Sequence, residues 1–137
     1  MFADLAFNPI TGRPAVVHLP WPSPDPEGGQ VRFLHWDGMT WQGETIAQGD
    51  VLSPDLVYND AGTPYISYVT GAMGTLPTTS LWVAHFDDNN WVHELVDNDV
   101  NGTSVDLCMD PNGSPTLSYG GNTGESFGLK FAFKETP

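Results

Sequence analysis

The chemistry that this sequence could support begins with a short acidic segment, residues 97–102. It reads Asp-Asn-Asp-Val-Asn-Gly, so oxygen-bearing side chains fall at its first, third and fifth positions, which are Asp97, Asp99 and Asn101. That spacing can curl a loop around a hard cation such as Ca²⁺, and the glycine at the sixth position permits the sharp turn. An EF-hand loop would carry a bidentate acid at its twelfth position, where Cys108 stands. The segment therefore predicts either a calcium site or an ordinary acidic turn, and no other cofactor is expected.

A second set of candidate residues lies in loops that differ between otherwise similar parts of the chain. Trp21 stands among prolines, Asp25 and Glu27 follow it, and Thr78 and Asn122 lie in the corresponding loops downstream. Divergent loops on a repetitive frame are a common place for function. An exposed tryptophan flanked by prolines suits stacking on a sugar face or on a protein partner. These five residues are the predicted ligand site, and the alternative is a tryptophan that folds back onto its own sheet.

Three aspartates, Asp4, Asp55 and Asp106, recur at intervals of 51 residues. Around a central axis they would form a ring of carboxylates, which needs a bound cation or raised pKa values to persist. The alternative, which we favour, is that each aspartate accepts hydrogen bonds from backbone amides of its turn or of the adjacent sheet.

Composition excludes some partners. Four basic residues face seventeen acidic ones, for a formal net charge of −13. Such a charge repels phosphate backbones and anionic lipid, so neither nucleic acid nor a membrane is an expected partner. The N-terminus shows no signal-peptide pattern, and an extracellular location is the first hypothesis for a compartment that is otherwise left open. The single cysteine, Cys108, is expected to be a buried, inert thiol on a strand.

The elements that position these residues come from a repeat. The segment from Pro54 to Val69 recurs upstream from Ala3 and downstream from Val105, with a period of about 50 residues that is typical of propellers, solenoids or arrays. Each repeat reads as four short strands of β-branched and aromatic residues bounded by Gly, Asn, Asp and Pro. In the second repeat we expect the first strand at about Pro54 to Asn59 and the second strand from Pro64 to Thr70. In the third repeat the third strand is Leu129 to Lys134, and no fourth strand follows. We expect one domain over residues 1–137, divided at about 1–52, 53–102 and 103–137.

The fourth strands repeat two further residues. Trp41 precedes Trp91 by 50 residues, and Glu44 precedes Glu94 by 50. A tryptophan repeated at one position argues for packing in the core or between sheets.

The third strand of each repeat is apolar on both faces. Phe33, Val83 and Phe131 alternate with Leu34, Ala84 and Ala132. Sheets that are apolar on both faces need cover on both faces, which four-stranded sheets stacked around an axis provide. The expected fold is therefore all-β: a partial β-propeller of about three antiparallel four-stranded blades, of which the last lacks its outer strand.

The pattern Asp-x-x-Gly-x-Pro-x-x-Ser-Tyr spans Asp110 to Tyr119, and it recurs from Asn59 to Tyr68 with Asn59 in the first position. It resembles the blade repeat of β-propeller repeat proteins, including sialidase-like and lectin-like propellers. The first repeat departs from it, with one residue inserted near Ile10 and Val17-His18 in place of Ser-Tyr. The resemblance implies a blade and does not by itself imply a function, since such propellers include lectins, enzymes and scaffolds.

The leading functional hypothesis is a non-catalytic binding or interaction module, with a glycan as ligand. One alternative is a fragment of a larger propeller with a scaffold role. Another is a sialidase-like or other glycoside hydrolase. Sialidases need clustered arginines for the substrate carboxylate, and the sequence has only Arg13 and Arg32. No pair of acids stands out for an ordinary glycosidase, so the protein is not expected to be an enzyme.

The blade count predicts an assembly. Closed propellers usually need about four to eight blades, and this chain offers fewer than three complete ones. An open arc would expose apolar faces and strand edges, which invite pairing. We expect a homo-oligomer that closes a ring head to tail, with a dimer of about six blades favoured.

Overall fold

All the regular structure that is described is β-structure. The computed structural model describes residues 2–20, 29–72, 74, 76, 78–122, 124 and 126–134. The strands are β1 (Ala3–Phe7), β2 (Pro14–His18), β3 (Gly29–Trp36), β4 (Trp41–Gly49), β5 (Val51–Tyr58), β6 (Pro64–Thr70), β7 (Ser80–Asp87), β8 (Asn90–Asp97), β9 (Val100–Met109), β10 (Pro115–Asn122) and β11 (Phe127–Phe133). The described part of the chain contains no helix with the length and hydropathy to span a membrane.

The strands form three antiparallel sheets, each made from consecutive strands. Blade 1 has the order β1-β2-β3-β4, blade 2 has β5-β6-β7-β8, and blade 3 has β9-β10-β11. All pairings are antiparallel between neighbours in sequence. This arrangement confirms the predicted partial propeller, and within the described residues the third blade has three strands and no outer strand.

One side chain builds the first turn of every blade. Asn8, Asn59 and Asp110 occupy equivalent positions, and the Oδ1 atom of each accepts a hydrogen bond from the amide two residues ahead, at 2.9, 3.1 and 2.8 Å. The glycine of the pattern has a φ of +80° at both Gly62 and Gly113, a conformation that other residues rarely adopt. These contacts explain why the pattern begins with Asn or Asp and contains a glycine.

The core is divided between the two blade–blade contacts. The contact of blade 1 with blade 2 buries Val17, Val31, Phe33, Leu56, Ile66 and Tyr68. The contact of blade 2 with blade 3 buries Val69, Leu81, Val83, Leu107, Leu117 and Tyr119. In each contact the later blade contributes the same three positions. Leu56, Ile66 and Tyr68 of blade 2 correspond to Leu107, Leu117 and Tyr119 of blade 3, which lie 51 residues further on. One packing scheme is therefore used twice.

Two of the repeated aspartates accept hydrogen bonds from the next blade. Asp4 Oδ2 accepts a hydrogen bond from the Leu56 amide at 2.8 Å, and Asp55 Oδ2 accepts one from the Leu107 amide at 2.7 Å. Burial, together with a hydrogen bond to Asp4, raises the pKa of Asp55 to about 7. Amide hydrogen bonds to the adjacent sheet, the alternative favoured from the sequence, are thus present at Asp4 and Asp55.

The expectation of a buried cysteine is wrong in the single chain, because Cys108 is exposed. Cys108 lies on the face of blade 3 that has no neighbouring blade. Its equivalent in blade 2, Val57, packs against the cluster between blades 2 and 3. On the same open face Phe131 is 65% exposed, although the equivalent Val83 is only 4% exposed. The alternating pattern correctly indicated two apolar faces, but one chain covers only one face of its last blade.

Candidate functional site

Two similar clefts open between neighbouring blades. The first cleft, between blades 1 and 2, has a volume of about 260 Å³, and the second cleft, between blades 2 and 3, has about 260 Å³. Glu44 lines the first and Glu94 lines the second, while Pro64 and Pro115 line the opposite walls. Because these pairs are 50 and 51 residues apart, the repeat itself generates the cleft at each blade–blade contact.

Aromatic rings form much of the first cleft. Trp91 of blade 2 packs edge-on against Phe33 of blade 1, with 5.4 Å between ring centroids, and against Phe86, with 5.6 Å. The tryptophan is therefore wedged between the blades, in the packing role that its repetition indicated. Its indole Nε1 is buried and has no hydrogen-bond partner among the described residues.

Polar groups line the same cleft. The carboxylate of Glu44 can only accept hydrogen bonds when ionised, and the hydroxyl of Tyr58 can donate one. Burial raises the pKa of Tyr58, so this hydroxyl stays protonated at neutral pH. His35 stacks on Phe33, with 5.5 Å between ring centroids. The first cleft thus combines an acceptor, a donor and aromatic surface.

A smaller hollow adjoins the first cleft. It has a volume of about 230 Å³, shares His35 and Tyr58 with the cleft, and adds Arg13 and Asp37. The Asp37 carboxylate accepts hydrogen bonds from the amides of the next turn, which hold its pKa at about 2, so it remains charged. The Arg13 guanidinium lies against Gly38, where a Cβ atom would be 2.7 Å from Nη2. The hollow therefore adds one positively and one negatively charged side chain beside the first cleft.

The second cleft is chemically different. Lys134 donates hydrogen bonds to both carboxylate oxygens of Glu94, at 2.8 and 3.1 Å. Lys134 also stands where the first cleft has Phe86, and the described part of blade 3 includes no fourth strand to supply a counterpart of Trp91. Glu94 is therefore already paired, and among the described residues that line this cleft Phe133 is the one aromatic side chain.

Of the ligand residues predicted from the loops, the two that the structure describes line neither cleft. Trp21, Asp25 and Glu27 lie outside the described residues. Thr78 and Asn122 are exposed, and neither lines the first or the second cleft. Both lie at the end of the blades that carries the loops between second and third strands. The first cleft opens at the opposite end, beside the turns between first and second strands. The loop site stays a prediction, and the repeated Glu44 and Glu94 were the signal in the sequence that could have indicated the clefts.

The predicted calcium loop already holds an ammonium group. Asp97 Oδ2 accepts hydrogen bonds from Lys130 Nζ and from the Tyr119 hydroxyl, both at 2.9 Å. Lys130 Nζ also donates to the backbone oxygen of Asp99, at 3.3 Å. Burial would raise the pKa of Asp97, but these hydrogen bonds outweigh it and lower the pKa.

No group of three or more His, Cys, Asp or Glu side chains that could hold a metal ion occurs among the described residues. Asn101, the third predicted ligand, is exposed. The calcium site stays a prediction, and a metal ion there would have to displace Lys130 from Asp97.

Comparisons with known proteins point to one fold. No protein-family model matches the chain, and no curated protein matches it. Among solved structures, the chain is similar to a fucose lectin from Kordia zhangzhouensis, solved in complex with methyl-fucoside. The TM-score is 0.58 at 14% sequence identity, and the match covers 98% of this chain and 99% of that chain. At this identity the likeness shows a shared fold over almost the whole chain.

Proposed function

We propose that this protein is a non-catalytic glycan-binding module of the β-propeller repeat class, and that the first cleft is its sugar site. The observation that carries the proposal is the lining of that cleft, where Glu44, Tyr58 and Trp91 border the same space of about 260 Å³. A sugar ring presents hydroxyls around its edge and C–H groups on its faces. Hydroxyls suit the carboxylate and the phenol, and the apolar face suits aromatic surface.

The class of sugar follows from size and charge. The cleft lies below the usual volume range of drug-sized pockets, about 300 to 1,000 Å³, which favours a single ring. A chain with a net charge of −13 and an acidic cleft disfavours acidic sugars. A neutral monosaccharide at the end of a glycan is therefore the proposed ligand. The shared fold with a fucose lectin makes fucose the first sugar to test.

Catalysis is not part of the proposal. Glycosidases generally use two carboxyl groups on either side of the bond that they cleave. Among the described residues that line the first cleft, Glu44 is the single acid. Several sugar sites in one homo-oligomer would instead raise avidity for a surface that carries many glycans.

The experiment is isothermal titration calorimetry with methyl-fucoside, supported by a glycan array. Glu44→Gln keeps the shape of the side chain and removes its charge, so we expect affinity to fall about 10-fold or more. Glu94→Gln is the matched control, since it makes the same change in the second cleft, and it should leave affinity unchanged. If no sugar on the array binds, the glycan proposal is wrong and a scaffold role remains. Equal losses from both variants would remove the first cleft as the site.

A further inference from the structure

Blade 1 and blade 3 each have one face that no other blade covers. These two open faces carry the two sides of the contact that neighbouring blades make elsewhere in the chain. At the blade 3 end, Leu129 and Phe131 are 80% and 65% exposed. Their equivalents in blade 2, Leu81 and Val83, are 0% and 4% exposed because blade 3 covers them. At the blade 1 end Leu5 is 56% exposed. Its equivalents in blades 2 and 3 are buried by the preceding blade.

The hydrogen bonds that the repeated aspartates make to the next blade also stop at the open face of blade 3. Asp4 binds the amide of Leu56 and Asp55 binds the amide of Leu107, each 52 residues ahead. Asp106 is the next member, and it lies exposed on the open face of blade 3, in a hollow of about 440 Å³. The Asp106 carboxylate could therefore accept a hydrogen bond from a further blade, but the single chain supplies no blade at this face.

At the blade 1 end, the backbone amide of Leu5 is the equivalent of the Leu56 amide. The Leu56 amide donates both to Asp4 of the preceding blade and to its own neighbour Asp55, at 2.8 and 3.1 Å. The Leu5 amide donates to its own neighbour Asp4 at 2.9 Å, and no bond to a preceding blade occurs among the described residues. Leu5 is thus the donor that matches Asp106.

An aromatic pair matches in the same way. Where blades 1 and 2 meet, Phe33 of the earlier blade contacts Trp91 of the later blade. Phe131 holds the position of Phe33 on blade 3, and Trp41 holds the position of Trp91 on blade 1. Trp41 is 49% exposed. Both members of a further Phe–Trp pair therefore face solvent in the single chain.

We propose that the open face of blade 3 docks on the open face of blade 1 of a second copy of this chain. Asp106 then accepts a hydrogen bond from the Leu5 amide of the other copy, and Phe131 packs against its Trp41. A second copy is the occupant because this chain itself carries the half-contact that blade 3 lacks. Two copies related by a two-fold axis form two identical junctions and close a ring of about six blades.

Light scattering at micromolar concentration tests the assembly directly. The wild type should have twice the chain mass of 14.9 kDa. Phe131→Lys places a charge in the apolar junction, so we expect the dissociation constant to rise at least about 100-fold and the monomer to dominate. Val92→Lys is the matched control: it changes an exposed apolar residue on the outer strand of blade 2, and it should leave the dimer intact. A wild type at 14.9 kDa, or a Phe131→Lys protein that stays dimeric, would overturn the proposal.

A mixing experiment tests which faces meet. Trp41→Glu should also give monomers, because it changes the other side of the same junction. Mixed with Phe131→Lys, it should restore the dimer, since one junction is then wild type and the other brings Lys and Glu together. A Trp41→Glu variant that remains dimeric would mean that blade 3 pairs with itself, and the proposed head-to-tail contact would be wrong.

The thiol of Cys108 supplies an independent readout on the same samples. It lies on the face that becomes the junction, so the wild-type dimer should react with a thiol reagent at least about 10-fold more slowly than Phe131→Lys does. Equal rates would contradict burial of this face.

Discussion

Glu44 shows how far residue types alone could indicate the site. The spacing of 50 residues between Glu44 and Glu94 was visible in the sequence, yet it did not indicate that both side chains point into spaces between blades. That orientation depends on which face of each fourth strand meets the next blade. The difference between the two clefts was also hidden, because Lys134 reaches Glu94 from a different sheet.

Asp55 allows a prediction about pH. Its pKa in the folded protein is about 7, above the ordinary value of 3.8, so folding favours the protonated form. The stabilisation is fully present below about pH 4 and is lost as the pH rises through about 7. Asp55→Asn stays neutral and can still accept the Leu107 amide, so its free energy of unfolding should fall less than that of the wild type between pH 5 and pH 8.

Urea denaturation at the two pH values measures this difference. Asp60→Asn is the control, since Asp60 is an exposed acid in a turn, and it should keep the decline of the wild type. If Asp55→Asn shows the same decline as the wild type, the raised pKa of Asp55 does not contribute to stability.

At the scale of single elements, strand bounds were predicted correctly where turn-forming residues mark the end of a strand. The second strand of blade 2 was predicted from Pro64 to Thr70, as the structure has it. The first strand was predicted to start at about Pro54, where the recurring segment begins. Instead β5 starts at Val51 and crosses an irregularity between Leu52 and Asp55, where Ser53 has a φ of 55°. A bulge accommodates the proline inside the strand, and nothing in the local pattern distinguished this from a strand end.

The first turn of blade 2 gives a prediction at this scale. Asn59 Oδ1 accepts hydrogen bonds from two amides of its turn, those of Ala61 and Thr63, at 3.1 and 2.9 Å. Asn59→Ala removes both acceptor contacts and should lower the free energy of unfolding by about 1 to 2 kcal/mol. Asn59→Asp is the matched control, because Asp110 performs the same role in blade 3, and it should stay within about 0.5 kcal/mol of the wild type. Equal losses from the two variants would contradict the capping role.

At the scale of the whole molecule, the period of the repeat predicted the architecture because each blade must cover its neighbour. The same reasoning could not place the ligand. A repeated frame makes similar clefts at every contact, and departures such as Lys134 in the second cleft decide which of them stays open. The proposed junction would add contacts of the same kind between two chains. The proposed junction would therefore link stability to assembly.

That link gives the last prediction. Leu107 is 5% exposed within the single chain, so Leu107→Ala should cost about 2 to 4 kcal/mol at every protein concentration. Leu5 holds the equivalent position on blade 1 but is 56% exposed, so Leu5→Ala should cost little in the monomer. In the proposed dimer the second copy would cover Leu5, and the wild-type melting temperature should rise with protein concentration by mass action.

Thermal melts between nanomolar and high micromolar concentrations separate the two effects. Leu107→Ala should lower the melting temperature throughout the range while keeping its dependence on concentration. Leu5→Ala should match the wild type when dilute and fall below it when concentrated, because it weakens only the junction. A wild-type melting temperature that does not change with concentration would show that unfolding is not coupled to assembly.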